Sequence, residues 1–440
     1  MKILEINKVE ELSSEQEETL ISDGLKSCLE NIDLKIISRV RDIIPVKLLA
    51  TIIQKSNEGT WSYSQIAKKY GLNTGIIVTK QAIWQATQKY VFSTLQIILS
   101  FLLTKSLGAK SLSNNKFFNR ILIEDSSTIK IDNKFKLFFP GSANQNGSNS
   151  SIKFHTIYNL ISERFVDFKI TPFTDNDLSM SKGIFEFIQT NDLIIRDMGY
   201  FIIDNFKEIN KKLAFFISRL KLPIKLFHLN GEEISLFKLL KTREIIDIQI
   251  LLGNKKFPVR LIALPIPEKE EEQRRRKANA NKTNYTELYK FLLGWNLMIT
   301  NITVEDCSAE EIYKLYSLRW RIESIFKMWK SYMDFDKFSN VASLEQLLIT
   351  IVAKLIWVTL IHQTAIDIFV QKIELKLNRE VSFFQLYNLI NEDINRYISA
   401  ILNYKEREFY EKLIIKTCLY EKRNDRQNYT QSKNEILALF

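Results

Sequence analysis

The stretch YSLRWRIESIFKMWK (316–330) gathers Tyr316, Arg319, Glu323, Lys327 and Lys330. On a helix turning about 100° per residue, Tyr316, Arg319, Glu323 and Lys330 fall within roughly 60° of one another, and Lys327 widens the arc slightly. One carboxylate is then flanked by cations and a phenol on a single face. That mixture suits a phosphodiester bound beside a metal ion: the cations hold non-bridging oxygens and the carboxylate holds the ion. The plainer alternative is a salt-bridged surface helix, for which more acids and looser placement are expected. Leu315, Leu318, Ile322, Ile325, Phe326 and Trp329 form a separate apolar stripe that can face a core.

A lone carboxylate cannot hold two hard cations, so partners are required. Asp125 in IEDSST and Asp197 in IRDMGY each follow an apolar run, where a buried strand delivers a side chain to a sheet edge. The alternative for either is an ordinary capping or turn aspartate. Glu124 adjoins Asp125 but should point to the other face of its strand. His155 has no second ligand in its strand and reads as structural.

The elements that must carry these residues change character along the chain. Residues 1–112 read as a helical domain. Within it, SYSQIAKKYGLNTGIIVTKQAIWQATQKY (62–90) has the shape of a helix-turn-helix, with Ser64 capping a first helix, Gly71 ending it, and Thr79 capping a second that turns Lys80, Gln81, Trp84 and Gln85 outward. An ordinary helical hairpin is the alternative. Residues 113–221 alternate strands and helices: RILIEDSSTIKI (120–131), a hairpin of 152–161 and 164–172 turning at Ser162 and Glu163, helical spacing over 179–192, a strand from 193 turning at Gly199, a helix, and a strand over 213–221. Residues 222–290 break that rhythm as a β-rich insertion containing the charge run EKEEEQRRRKANANK (268–282), a solvated face or a phosphate track. Residues 291–370 resume the core, with Ser308 and Glu311 spaced as a capping box, and 371–440 stay helical. The fold class is α/β.

Composition narrows the partners. Lys and Arg total 62 against 51 Asp and Glu, a formal charge of +11, which fits a polyanion such as nucleic acid or an anionic membrane. Cys28, Cys307 and Cys418 lie far apart without CxxC spacing, and only three histidines occur, so a disulfide scaffold, a zinc ribbon and a His-rich metal site are not suggested. Any metal should be hard and oxygen-bound. The opening residues lack the apolar region of a signal peptide, and a cytoplasmic setting is expected. LLITIVAKLIWVTLIHQTAIDIFV (347–370) is long enough for a bilayer, yet Lys354, His362, Gln363 and Asp367 interrupt it; a helix buried in a large domain, and no membrane, is expected.

Tyr316, two residues, Arg319, three residues, Glu323, six residues and Lys330 reproduce a known signature. With IEDSST, KFHTIYNL, RDMGYF and FISRLK in order, the chain over roughly 119–335 resembles the DDE transposases of bacterial insertion sequences, specifically the Tyr-Arg-Glu-Lys group, insertion-sequence family four. The resemblance implies an RNase H-like core holding Asp125, Asp197 and Glu323 around two Mg²⁺ ions, with Mn²⁺ able to substitute, and a β-rich insertion between the second Asp and the Glu. It implies contacts to double-stranded DNA from Tyr316, Arg319, Lys327, Lys330 and Arg219, and a base-stacking tryptophan for which Trp295 is the nearest candidate, beside its alternative as a core residue. It further implies cut-and-paste transposition: cleavage at the terminal inverted repeats and strand transfer into target DNA, by a synaptic homodimer at the bacterial nucleoid. The helical region bearing Lys80 and Gln81 would recognise the repeats. An RNase H-like structure-specific nuclease and an inactive DNA-binding regulator are the rivals.

Overall fold

The computed structural model describes residues 43–59, 61–107, 117–144, 147–280, 286–338, 341–420 and 435. Cys28, the opening residues, positions 281 and 282 of the charge run, and the polar tail from 421 lie outside them. The N-terminal helical region comprises α1 (Pro45–Asn57), α2 (Tyr63–Thr74), α3 (Lys80–Ala86) and α4 (Phe92–Leu107). Ser62, not Ser64, caps α2, because Gln65 stands three residues after it and closes a reciprocal capping box. The helix runs through Gly71 and ends at Gly75, whose φ of +73° is the left-handed conformation glycine adopts without strain. Thr79 caps α3 as expected.

The sheet is built on β1 (Arg120–Ile131). β2 (Pro140–Asn144) and β4 (Arg164–Pro172) share the outer edge of β3 (Gly147–Asn159), and β3 lies antiparallel to β1. The hairpin between β3 and β4 turns through Glu163 at φ +53°. On the other side of β1 run β5 (Asp192–Arg196) and β6 (Phe215–Arg219), both parallel to it. The order β4-β3-β1-β5-β6, three antiparallel strands then two parallel ones, is the RNase H-like arrangement. α5 (Ile203–Lys211) crosses from β5 to β6. Every residue of β5 is buried, as befits a strand covered on both faces.

The expected helix over 179–192 is instead one short turn at Asp177–Met180 and a 3₁₀ turn at Gly183–Glu186. The insertion supplies β7 (Leu226–Phe227), β8 (Ile246–Leu252) and β9 (Phe257–Pro265), which continue the same sheet beyond β10 (Trp295–Thr300). Its charge run forms α6 (Glu268–Ala280), where Arg274, Arg275 and Arg276 each pair with a glutamate one turn earlier. Those arginines are therefore partly neutralised within their own helix.

Two helices follow the sheet, α7 (Ala309–Ser317), capped by the Ser308–Glu311 box, and α8 (Trp320–Tyr332). Residues 316–330 thus do not form the single helix expected; the chain turns at Leu318 and Arg319. The apolar stripe from Leu315 to Trp329 is nonetheless buried, packed on the face of the sheet that carries Ile121, Ile123 and Ile129. Leu122, Ile194, Phe206 and Phe216 form a second core on the opposite face. The long apolar segment becomes α9 (Leu344–Thr364), a mostly buried helix tied to the N-terminal region, where Trp61 Nε1 donates to Thr350 Oγ1 at 3.0 Å. Its polar interruptions are all partnered: Lys354 donates to the Asp334 carbonyl, His362 bonds Tyr387, Gln363 donates to the Leu102 carbonyl, and Asp367 pairs with Arg164. α10 (Phe383–Glu392), α11 (Ile394–Leu402) and α12 (Tyr404–Thr417) complete the helical C-terminal region.

Candidate active site

Two parallel strands bring the aspartates together. The last shared rung of β1 and β5 pairs Glu124 with Arg196, so Asp125 and Asp197 are the next residue of each strand. Asp125 lies in the middle of β1 rather than at its end, but β5 stops beside it, and both acids sit half-buried at the edge so created. The Ser126 amide donates to Asp125 Oδ1 at 2.8 Å. Burial pushes the Asp125 carboxyl up to about 6, opposed by Arg319 and the Ser126 amide and reinforced by the nearby charges of Glu323 and Asp197.

The turn between α7 and α8 delivers the remaining groups. Arg319, only 8% exposed, donates from Nη1 to Asp125 Oδ2 at 2.9 Å, and its Nη2 lies 2.6 Å from Glu323 Oε1. Tyr316, at the end of α7, donates its hydroxyl to Asp197 Oδ1 at 3.3 Å. Burial holds that phenol well above its usual range. Lys330 donates to the Thr128 carbonyl on β1 at 3.1 Å, and burial lowers its pKa. Arg219, half-buried at the end of β6, lies near enough to Tyr316 to favour its ionised form. Lys327 is exposed, with Nζ 5.3 Å from the centre of the Phe384 ring.

Asp125, Asp197, Glu323, Tyr316 and Arg319 thus come together, although α7 and α8 are separate helices, whereas Lys330 lies further along β1 against Thr128. Arg319 stands between two of the carboxylates. Among the described residues, no three His, Cys, Asp or Glu side chains stand as a group able to grip an ion in this conformation. The donor set still fits a hard cation: three carboxylates, one held partly desolvated, with a positive charge already accommodated among them.

Three further assignments separate from that cluster. Glu124 points to the other face, as its neighbour's position requires, and pairs with Arg196 at 2.6 Å. Trp295 is 2% exposed in the second core, so the conformation seen here presents no ring face to a base. Lys80 and Gln81 are exposed on α3. The sequence reading missed Arg196, Ser126 and Asp177 as neighbours of the site; the one signal for Arg196 is that it precedes Asp197 as Glu124 precedes Asp125.

A paired-aspartate edge on an RNase H-like sheet, completed by a glutamate from a following helix, defines a class of phosphoryl-transfer protein. The chain belongs to the Transposase DDE domain family, whose model matches residues 116–353, more than half of its length. It is 24% identical over 395 residues to the transposase for insertion sequence element IS231F of Bacillus thuringiensis subsp. israelensis, covering 83% of this chain and 81% of that protein. It is 27% identical over 426 residues to the transposase for insertion sequence element IS1151 of Clostridium perfringens, covering 89% and 88%. Among solved structures, the piggyBac transposase synaptic complex with hairpin DNA aligns at a TM-score of 0.41 and 8% identity, over 93% of this chain and 85% of that one.

Proposed function

We propose that this protein is an insertion-sequence transposase that cuts DNA at the ends of its element and joins them to target DNA. The observation that carries this reading is the grouping of Asp125, Asp197 and Glu323 around Arg319 and Tyr316, with Arg319 bonded to Asp125 and Glu323 and Tyr316 to Asp197. Asp125, Asp197 and Glu323 are the residues that would hold two divalent cations, Mg²⁺ or Mn²⁺. Bound there, the cations supply an acidified water or 3′-hydroxyl as nucleophile and stabilise the leaving oxygen.

The chain's own residues position the phosphate. Arg319 presents a planar fork that matches carboxylate and phosphodiester oxygens equally well, so the side chain that now bonds Asp125 and Glu323 could also hold a DNA phosphate. Tyr316 holds Asp197 in orientation, and Arg219, Lys327 and Lys330 add positive charge along the same edge. The N-terminal helices, with Lys80 and Gln81 outward on α3, would bind the terminal inverted repeats, phosphate contacts fixing register and base contacts the sequence. The helical C-terminal region would join two copies in a synaptic homodimer, and the protein would work at the nucleoid in the cytoplasm. Incubating the protein with Mg²⁺, a duplex ending in a free element 3′-OH and a plasmid tests this: a joined product is expected, and cutting without joining would make it a nuclease instead.

A further inference from the structure

Behind Asp125 and Asp197, on the opposite face of the sheet, lies a buried ion pair that the proposed chemistry does not use. Glu124 and Arg196 each precede a site aspartate by one residue and face each other on the last rung of β1 and β5. They are 3% and 1% exposed, and Arg196 Nη2 lies 2.6 Å from Glu124 Oε2. The same nitrogen donates to the Ser181 carbonyl at 2.6 Å, and Ser181 Oγ accepts from Asn205 at 2.7 Å.

The segment 177–181 also grips the strands further along. Ser126, one residue past Asp125, donates to Asp177 Oδ1 at 3.0 Å. Gly199, two residues past Asp197, packs so tightly that an added Cβ would sit 2.7 Å from Asp177 Oδ2. One short segment therefore touches the residue after Asp125, the residue before Asp197 and the turn that follows Asp197.

Stability alone gives little reason for such a pair. Desolvating two charges costs about as much as their attraction returns, and apolar side chains of equal volume often serve a core as well. Register is a different matter. A slip of one residue between β1 and β5 would turn every side chain to the wrong face and separate the two aspartates.

We propose that Glu124 and Arg196 are positioning residues, a register lock that holds Asp125 beside Asp197 so that both carboxylates meet the same cation. This rests on the reading of those aspartates as cation ligands.

The test is Mn²⁺ binding, followed by loss of the free-ion EPR signal, alongside thermal melts of each variant. Asp125→Asn should abolish binding; if it binds as wild type does, the ligand reading itself is wrong, and the lock with it. The double variant Glu124→Leu/Arg196→Met should fold with a near-native melt yet bind Mn²⁺ about tenfold to a hundredfold more weakly, the range seen when residues supporting metal ligands are removed. Glu124→Gln, which keeps a hydrogen bond to Arg196, should stay within about threefold of wild type. Wild-type Mn²⁺ affinity in the double variant, with Asp125→Asn still inactive in binding, overturns the lock alone. Should the double variant fail to fold, Arg196→Lys decides by the same criterion, since its shorter side chain does not carry Nζ to the place from which Arg196 Nη2 bonds both Glu124 and Ser181.

Discussion

Arg319 and Asp125 are 194 residues apart in sequence, and the guanidinium of one lies 2.9 Å from the carboxylate of the other. The same guanidinium reaches Glu323 at 2.6 Å, so one side chain neutralises two of the three site acids. Removing it as Arg319→Ala leaves those acids facing each other without a counter-charge. The variant should melt below wild type in a chelator and gain more from added Mg²⁺ than wild type does. Its cleavage rate should fall by about 10²–10³-fold, as when a charge-stabilising donor is lost. Fluorimetric melts with and without Mg²⁺ measure the first effect, and single-turnover cleavage the second.

Trp295 is packed in the second core. Trp295→Ala should destabilise the fold by about 3–5 kcal/mol, the usual cost of deleting a buried aromatic. Trp295→Leu, which refills most of the space but cannot stack on a base, should retain cleavage within about threefold if the residue serves only the core. A folded Trp295→Leu that binds element ends normally but cleaves far more slowly would instead give the indole a direct role with DNA.

His362 joins three elements. Its Nε2 donates to the Glu163 carbonyl at 3.1 Å and lies 3.2 Å from the Tyr158 hydroxyl, while Nδ1 accepts from Tyr387 at 2.7 Å. Burial pushes its pKa from 6.5 down to about 3, against the opposing pull of Glu163. The folded chain thus keeps the ring neutral where the unfolded chain protonates it. Its contribution to stability is complete above 6.5 and is lost progressively as pH falls toward 3. Between about pH 7 and pH 4.5 the wild-type melting temperature should fall more steeply than that of His362→Gln, which starts lower but lacks this titration.

Lys80 and Gln81 stand exposed at the start of α3. Lys80→Ala should weaken binding of a terminal-repeat duplex and of unrelated DNA alike, and reduce the slope of log affinity against log salt by about 1. Gln81→Ala should instead narrow the gap between the two duplexes, the mark of a base contact. Fluorescence anisotropy over a salt series reads both.

Much of this was legible in the sequence because its causes are local. The alternation in β1 sends Glu124 and Asp125 to opposite faces, and the hairpin of β3 and β4 announces itself at Ser162 and Glu163. Thr79 and Ser308 cap helices through contacts three residues away. The two serines of WSYSQ are harder: only the reach of Gln65 back to Ser62 tells them apart. The turn at Leu318 and Arg319 leaves no mark, since neither Gly nor Pro interrupts the run, and packing rather than propensity ends α7. The Glu124–Arg196 pair and the continuation of the sheet into the insertion depend on strand pairing between distant segments, which periodicity does not reveal.

The central claim is that Asp125, Asp197 and Glu323 act together on a phosphodiester. The direct measurement is nicking of a labelled duplex carrying the element's end by purified protein with and without Mg²⁺. Nicking should require the ion and should disappear in Asp125→Asn, Asp197→Asn and Glu323→Gln, each still folded by circular dichroism. Undiminished nicking in any one of the three folded variants would contradict the account.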